Sequence, residues 1–175
     1  MKTILWATLT ANGNYAQSGP EHPPKKEALD DFAAHAKAVG NFIVGRRTFE
    51  GMRGNGGPGP FAGIDIVVVS KNASEIPGVT VARSPKEALD YLKQKGHQSA
   101  LISGGADIHN SFLGQGLVDE VIFNVAPVLE GKGLNLLIDK DSYRYKHVQL
   151  LECKPLGGGV VHLRYAIDRA DSQEV

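Results

Sequence analysis

The sequence predicts an α/β domain on a mostly parallel sheet, and three observations carry that prediction. Short apolar runs, suited to buried strands, alternate with stretches of helical period over the first two thirds of the chain. Two of these runs end in glycine and pass at once into a helix start: Leu101-Ile102-Ser103-Gly104-Gly105-Ala106 and Phe42-Ile43-Val44-Gly45-Arg46-Arg47. The last part of the chain breaks the alternation with two successive strand patterns joined around Pro155 and Gly157-Gly158-Gly159. They make a hairpin, hence an antiparallel edge on an otherwise parallel sheet.

Residues 3–9 read as the first strand, followed by the turn-rich Thr10-Ala11-Asn12-Gly13-Asn14-Tyr15. Pro20, Pro23 and Pro24 keep the next stretch irregular. Residues 25–39 have helical character, with Leu29, Phe32, Ala33 and Ala36 on one face. Residues 42–44 and 64–69 are further strands, and Ile76-Pro77-Gly78 turns into a short one at 79–82. Ser84-Pro85-Lys86-Glu87 is a helix start: serine caps, proline takes the first helical position, and glutamate follows three residues after the cap. That helix runs to about Lys95 and stops at Gly96. Leu101 and Ile102 suit a buried strand, and Ile108, Phe112 and Leu113 share one face of the helix after it. Residues 118–126 are a strand, and residues 145–153 and 160–167 form the hairpin. Residues 1–168 are read as one domain and 169–175 as a polar tail.

Composition narrows the function classes. The 175 residues carry a formal net charge of zero, so there is no global basic field and no nucleic-acid partner is expected. No apolar run approaches the roughly 20 residues of a membrane span. The single cysteine, Cys153, excludes an intramolecular disulfide and fits a reducing compartment. Its neighbours Leu150 and Leu151 make it a strand residue rather than a nucleophile. The expectation is a cytoplasmic protein without a membrane partner.

Three strand ends carry the chemistry. Gly104-Gly105 lets the backbone lie directly against a ligand, at a helix start whose N–H groups and partial positive charge suit phosphate. Gly45 is followed by Arg46, Arg47 and Thr48, two guanidinium forks and a hydroxyl that match phosphate oxygens. The strand at 64–69 ends in Ser70-Lys71-Asn72. Ligands of open α/β sheets bind outside the carboxyl ends of the strands, so the three ends together point to one anionic ligand. Each also has a bland reading, as a tight turn or as solvated charge. The glycine-rich Gly54-Asn55-Gly56-Gly57-Pro58-Gly59-Pro60 lacks the Lys-Ser/Thr ending of a phosphate loop and reads as a connector. The six histidines show no paired ligand spacing, so no metal is expected.

Taken in order, Gly45-Arg46-Arg47-Thr48, Ser103-Gly104-Gly105 and Gly116-Leu117-Val118-Asp119-Glu120 running into Ala126-Pro127-Val128-Leu129-Glu130-Gly131-Lys132-Gly133 carry a resemblance over nearly the whole chain. The chain resembles the dihydrofolate reductase-like superfamily, and more closely its branch containing the reductase domain of riboflavin biosynthesis. The resemblance implies a three-layer fold with helices on both faces of the sheet, and an NADPH-dependent reductase. It implies that Gly45, Arg46, Arg47 and Thr48 help to bind the cofactor phosphates, and that Ser70 and Lys71 lie near the adenosine 2′-phosphate. It further implies that Ser103, Gly104, Gly105, Ala106 and Asp107 approach the pyrophosphate and nicotinamide. Ala7 and Thr8 match the strand segment lying against the nicotinamide, and Asn12-Gly13-Asn14-Tyr15-Ala16-Gln17 matches the mobile segment that closes over the site. In folate reductases the peptide corresponding to Gly104-Gly105 is cis, and the same is expected here.

The substrate is less defined. Where many related members have Ser-x-Asp-Gly, this chain has Thr10-Ala11-Asn12-Gly13, and Asn12 keeps hydrogen bonding but cannot act as a carboxylate base. Folate reductases place a carboxylate in the helix after the mobile loop. Asp30 and Asp31 lie in that helix, although matching its phenylalanine to Phe32 puts Ala28 at the acidic position, and a solvated face beside Lys26 and Lys37 is the competing reading. The threonine that partners the carboxylate in folate enzymes falls near Phe123 or Asn124. The expected activity is hydride transfer to a C=N or carbonyl group of a small heterocyclic or sugar-bearing substrate, most like 5-amino-6-(5-phosphoribosylamino)uracil reductase. A dihydrofolate or pterin reductase is the first alternative, and a non-catalytic nucleotide-binding protein is the alternative of another class. The family commonly pairs through its sheet, so a homodimer is expected, with the small-molecule substrate as the other partner.

Overall fold

The computed structural model describes residues 1–16, 21–53, 59–72, 74–134 and 146–168. Its elements run β1 (Lys2–Thr10), α1 (Lys26–Val39), β2 (Asn41–Gly45), α2 (Arg46–Met52), a 3-10 turn (Gly59–Phe61), β3 (Asp65–Val69), β4 (Thr80–Ala82), α3 (Pro85–Gln94), β5 (Ser99–Gly104), α4 (Ala106–Gly114), β6 (Glu120–Ala126), β7 (Val148–Gly157) and β8 (Val160–Ile167). The strands form one sheet in the order β4-β3-β2-β5-β1-β6-β8-β7. β4 to β6 in that order are parallel, whereas β8 runs antiparallel to both β6 and β7. This is the mostly parallel sheet with an antiparallel C-terminal hairpin that the sequence predicts. Among the described residues, no helix is long and apolar enough to cross a membrane.

Strand alternation divides the core into two layers. Leu5, Ala7, Ile43 and Ile102 pack with Ala88 and Leu92 of α3 and Phe112 of α4 on one face. Ile4, Trp6, Phe42, Val44 and Leu101 pack with Ala28, Phe32 and Ala36 of α1 and Phe49 of α2 on the other. Helices therefore cover both faces. Local signals placed their ends: Ser84 Oγ accepts from the Glu87 N–H at 3.2 Å to cap α3, and Gly40 closes α1 in the left-handed region, φ 76°.

Two expectations need correction. Leu29 is half exposed, and the buried stripe of α1 is Ala28, Phe32 and Ala36 at four-residue spacing, which turns Asp31 and His35 toward the sheet beside it. The first hairpin strand does not stop at Cys153 but continues through Pro155 to Gly157. Proline is tolerated there because β7 is an edge strand and its pairing with β8 slips between Pro155 and Gly157. Gln17, the loop 54–58, Tyr145 and the tail 169–175 lie outside the described residues.

Candidate functional site

The topology brings the three sequence-predicted strand ends side by side. β2 lies between β3 and β5, with Gly45 paired to Val69 and Val44 to Gly104. Gly45 therefore opens into α2 next to Ser70 on one side and the Gly104-Gly105 turn on the other. The Gly104-Gly105 peptide is cis, as expected, and Gly105 caps α4. The backbones are close. A Cβ on Gly45 would sit 2.9 Å from Ile108 Cγ1, and one on Gly105 would sit 3.2 Å from the Thr48 hydroxyl oxygen. Thr48 thus faces the glycine turn, and the glycines at these two positions have a spatial reason.

Around that turn the charges are exposed. Arg46 Nη1 lies 3.3 Å from Glu50 Oε1, and Arg47 Nη2 lies 3.8 Å from Asp107 Oδ2, with both members of the second pair almost fully in solvent. Ser70 is buried, and Lys71 is exposed beyond the end of β3. Arg83, not among the residues predicted from the sequence, donates from Nη1 to the Lys71 carbonyl at 2.6 Å and adds a fourth cation to Arg46, Arg47 and Lys71. Asp107 is the one acidic group in the first turn of α4.

Beneath the turn lies His109, buried against Gly104. Its Nε2–H donates to the Ser103 carbonyl at 2.6 Å, and its Nδ1 is 3.0 Å from the Tyr15 hydroxyl. Burial pushes the imidazole down to about 4, against weaker opposing hydrogen bonds from backbone, first that of Ser103. Burial likewise pushes the Tyr15 hydroxyl well above the usual phenol range. The neutral imidazole takes the Tyr15 O–H as donor, which ties the β1–α1 loop to the floor of the glycine turn.

β1 separates this region from a second one. β1 pairs with β5 on one side and β6 on the other, and Thr8 sits opposite Asn124. Asp31 of α1 meets this side. Its Oδ2 accepts from Trp6 Nε1 at 2.9 Å and from Asn124 Nδ2 at 2.8 Å, and its Oδ1 is 3.5 Å from His35 Nε2. Burial alone would raise this carboxyl, but the hydrogen bonds from His35, Trp6 and Asn124 outweigh it and hold it well below the usual range. The Asn124 amide oxygen in turn accepts from His162 Nδ1 at 2.9 Å.

The adjacent aspartates therefore part company. Asp31, with 11% of its side chain exposed, is an ionised group anchored to β1 and β6, which overturns its reading as part of a solvated face. Asp30 is exposed and pairs with Lys26, as that reading holds. Asn12 is fastened elsewhere: its amide donates to the Glu130 carbonyl at 2.8 Å, and its oxygen accepts from Thr10 Oγ1 and the Glu130 N–H. Ala7 is buried on the α3 and α4 side of β1, and Thr8 accepts the Ala16 N–H at its carbonyl, 2.9 Å. Trp6, His35 and His162 were missed as site residues, whereas Asn124, one of the two positions matched to the threonine that partners the carboxylate in folate enzymes, is the residue bonded to Asp31. The spacing of Asp31 and His35, four apart on one helix, was the available signal. An apolar cavity of about 410 Å³ lined by Phe42, Phe49, Met52, Phe61, Ile66 and Val79 contains none of the predicted site residues.

Comparison with known proteins agrees with this architecture. A protein of Shewanella sp. PV-4 assigned to riboflavin biosynthesis superposes with a TM-score of 0.76 at 20% identity, over 96% of this chain and 99% of that one. A pyrimidine reductase-like protein of Corynebacterium diphtheriae gives 0.75 at 16%, over 95% and 92%. Acinetobacter baumannii RibD gives 0.74 at 21%, over 95% of this chain but 58% of its own length. No curated protein matches the chain by sequence. The sequence pattern of the family described as RibD C-terminal domain matches residues 5–162. The chain belongs to the RibD C-terminal domain family, within the dihydrofolate reductase-like superfamily.

Proposed function

We propose that this protein is an NADPH-dependent reductase that transfers hydride to a C=N or carbonyl group of a small heterocyclic or sugar-bearing substrate, most like 5-amino-6-(5-phosphoribosylamino)uracil. The observation that carries this reading is the adjacency of the ends of β3, β2 and β5, where a glycine turn, Thr48 and the cations Arg46, Arg47 and Lys71 surround one rim. The residues fit the cofactor. A Cβ at Gly105 would press on Thr48, so glycine keeps the turn against the Thr48 hydroxyl beside the proposed pyrophosphate position, and Lys71 with Arg83 supplies positive charge where a 2′-phosphate would lie. NADPH supplies the hydride; the protein supplies orientation and electrostatics.

Across β1, Asp31 offers an ionised carboxylate to the N–H edge of a heterocycle, with Trp6 and Asn124 fixing its plane. The same arrangement is what supports a dihydrofolate or pterin reductase as second reading, because a carboxylate paired to a β6 side chain suits an aminopyrimidine ring. We propose the cytoplasm as the working compartment, which suits the lone cysteine. We also propose a homodimer through the β7 edge, where Val148, Leu150 and Leu151 are exposed.

Loss of reduced-nicotinamide absorbance on adding a panel of aminopyrimidine, pterin and folate substrates tests the activity. Oxidation with the ribosylaminopyrimidine supports the first reading, and oxidation with dihydrofolate alone supports the second. Tight NADPH binding without oxidation by any of them would make the protein a nucleotide-binding module.

A further inference from the structure

We propose that Asp31, His35 and His162 form a binding site for a divalent transition-metal ion of the Zn²⁺ class. Asp31 and His35 come from one face of α1 and His162 from β8. One ligand atom from each lies within 4.8 Å of the other two. The 3.5 Å between His35 Nε2 and Asp31 Oδ1 is close to the edge of a tetrahedron whose corners stand about 2.1 Å from a zinc ion, about 3.4 Å. Two imidazoles with a carboxylate are a borderline donor set, suited to zinc and its neighbours rather than to calcium or magnesium.

The surrounding hydrogen bonds prepare these atoms for a cation. Asn124 and Trp6 both donate to Asp31 Oδ2, leaving Oδ1 turned toward His35. Because the Asn124 nitrogen is committed to Asp31, its oxygen faces His162 Nδ1 and fixes the proton there. With Nδ1, 3.6 Å from Asp31 Oδ2, holding that proton, Nε2 is the nitrogen left to bind either a second proton or a metal ion. A carbonyl-type acceptor on the non-ligating nitrogen is the usual outer-shell device that orients a metal-binding histidine.

His162 Nε2 is the second, independent observation. The residue is completely buried, and Nε2 has no hydrogen-bond partner, although Glu152 Oε2 lies 3.1 Å away. At that separation one positive charge is shared by ring and carboxylate, either a proton on Nε2 or a metal ion in its place, and titration with Co²⁺ separates the two. An ion there would also be reachable, since His35 and Glu152 are only partly buried, and Glu152 from β7 is positioned as a fourth ligand.

The site shares Asp31 with the proposed substrate end, but ion binding does not rest on the reductase reading and is measured with neither nicotinamide nor substrate present. The experiment is titration of the chelator-stripped full chain with Co²⁺, followed by visible absorption, and with Zn²⁺ by calorimetry. One equivalent is expected, with the intense ligand-field bands of four- or five-coordinate cobalt, displaced by Zn²⁺. His35→Gln, a partly exposed position, should keep its far-UV circular dichroism and lose affinity by about tenfold or more; Asn124→Leu should lose roughly 10- to 100-fold through the outer shell. His97→Gln, whose ring pairs with Asp65 instead, should bind like the wild type. No saturable binding, only the weak bands of hydrated cobalt, or a folded His35→Gln variant that binds as the wild type does would each overturn the site. If His162→Gln fails to fold, the His35→Gln titration decides alone.

Discussion

The Tyr15 hydroxyl lies 3.0 Å from Nδ1 of His109, whose Nε2 is 2.6 Å from the Ser103 carbonyl; because a carbonyl only accepts, the neutral ring holds its proton on Nε2 and takes the Tyr15 O–H at Nδ1. His109 binds a proton less readily when folded, at about 4, than in the unfolded chain, where the ordinary value is 6.5. The unfolded state therefore takes up more protons between these limits, so stability is full above about pH 6.5 and falls as pH drops toward 4. The loss reaches about 3 kcal/mol at the lower limit. Urea unfolding as a function of pH should show this slope, and His109→Gln should flatten it. An equal slope in the variant would remove His109 as its source.

Gly105 should be more important for the cofactor than for the fold. Its backbone is ordinary in φ, and a new side chain meets Thr48 Oγ1 rather than the core. Gly105→Val is expected to cost about 1 kcal/mol of stability or less, and to weaken NADPH by about tenfold or more, or 1.4 kcal/mol. Thermal melting with a binding titration checks both. Gly45→Ala should do the reverse in part, since its Cβ strikes Ile108 in the packed interior, at a cost of about 1–3 kcal/mol.

Asp107 sets a negative charge in the first turn of α4, where a phosphate is proposed. Among the described residues it forms an ion pair with Arg47, 3.8 Å away and exposed. Asp107→Asn should tighten NADPH a few-fold, and more at low than at high ionic strength. Unchanged affinity at low salt would place the pyrophosphate away from this helix start.

Much of this was legible in the sequence because it is local. Ser84-Pro85-Lys86-Glu87 contains its own capping chemistry, and Gly45 and Gly104-Gly105 mark strand ends within a few residues of chain. The Asp31 centre was not legible in the same way. Asn124 and His162 reach Asp31 from β6 and β8, 93 and 131 positions further along, and only the insertion of β8 beside β6 makes them neighbours. Hydrophobicity favours Leu29 for the helical stripe, but close packing of α1 on the sheet selects the smaller Ala28 and Ala36 beside Phe32. Pro155 reads in the sequence as part of the hairpin join, whereas it lies within β7, because nothing local says that β7 is an edge.

That edge leads to an assembly prediction. Val148, Leu150 and Leu151 stand exposed on β7, whose outer backbone has no neighbouring strand among the described residues. Sedimentation should show a dimer at micromolar concentration, and Leu150→Lys should shift it toward monomer. A wild-type monomer throughout would dismiss the proposed pairing.

NADPH is proposed to bind at the rim formed by β2, β3 and β5. Calorimetric titration of the full chain with NADPH and with NADH tests it most directly. NADPH should bind more tightly, the preference should shrink as salt rises, and Arg46→Ala with Lys71→Ala should erase much of it. Equal affinity for the two nucleotides, or a preference for NADPH that the double variant leaves intact, would contradict the placement of the cofactor at these strand ends.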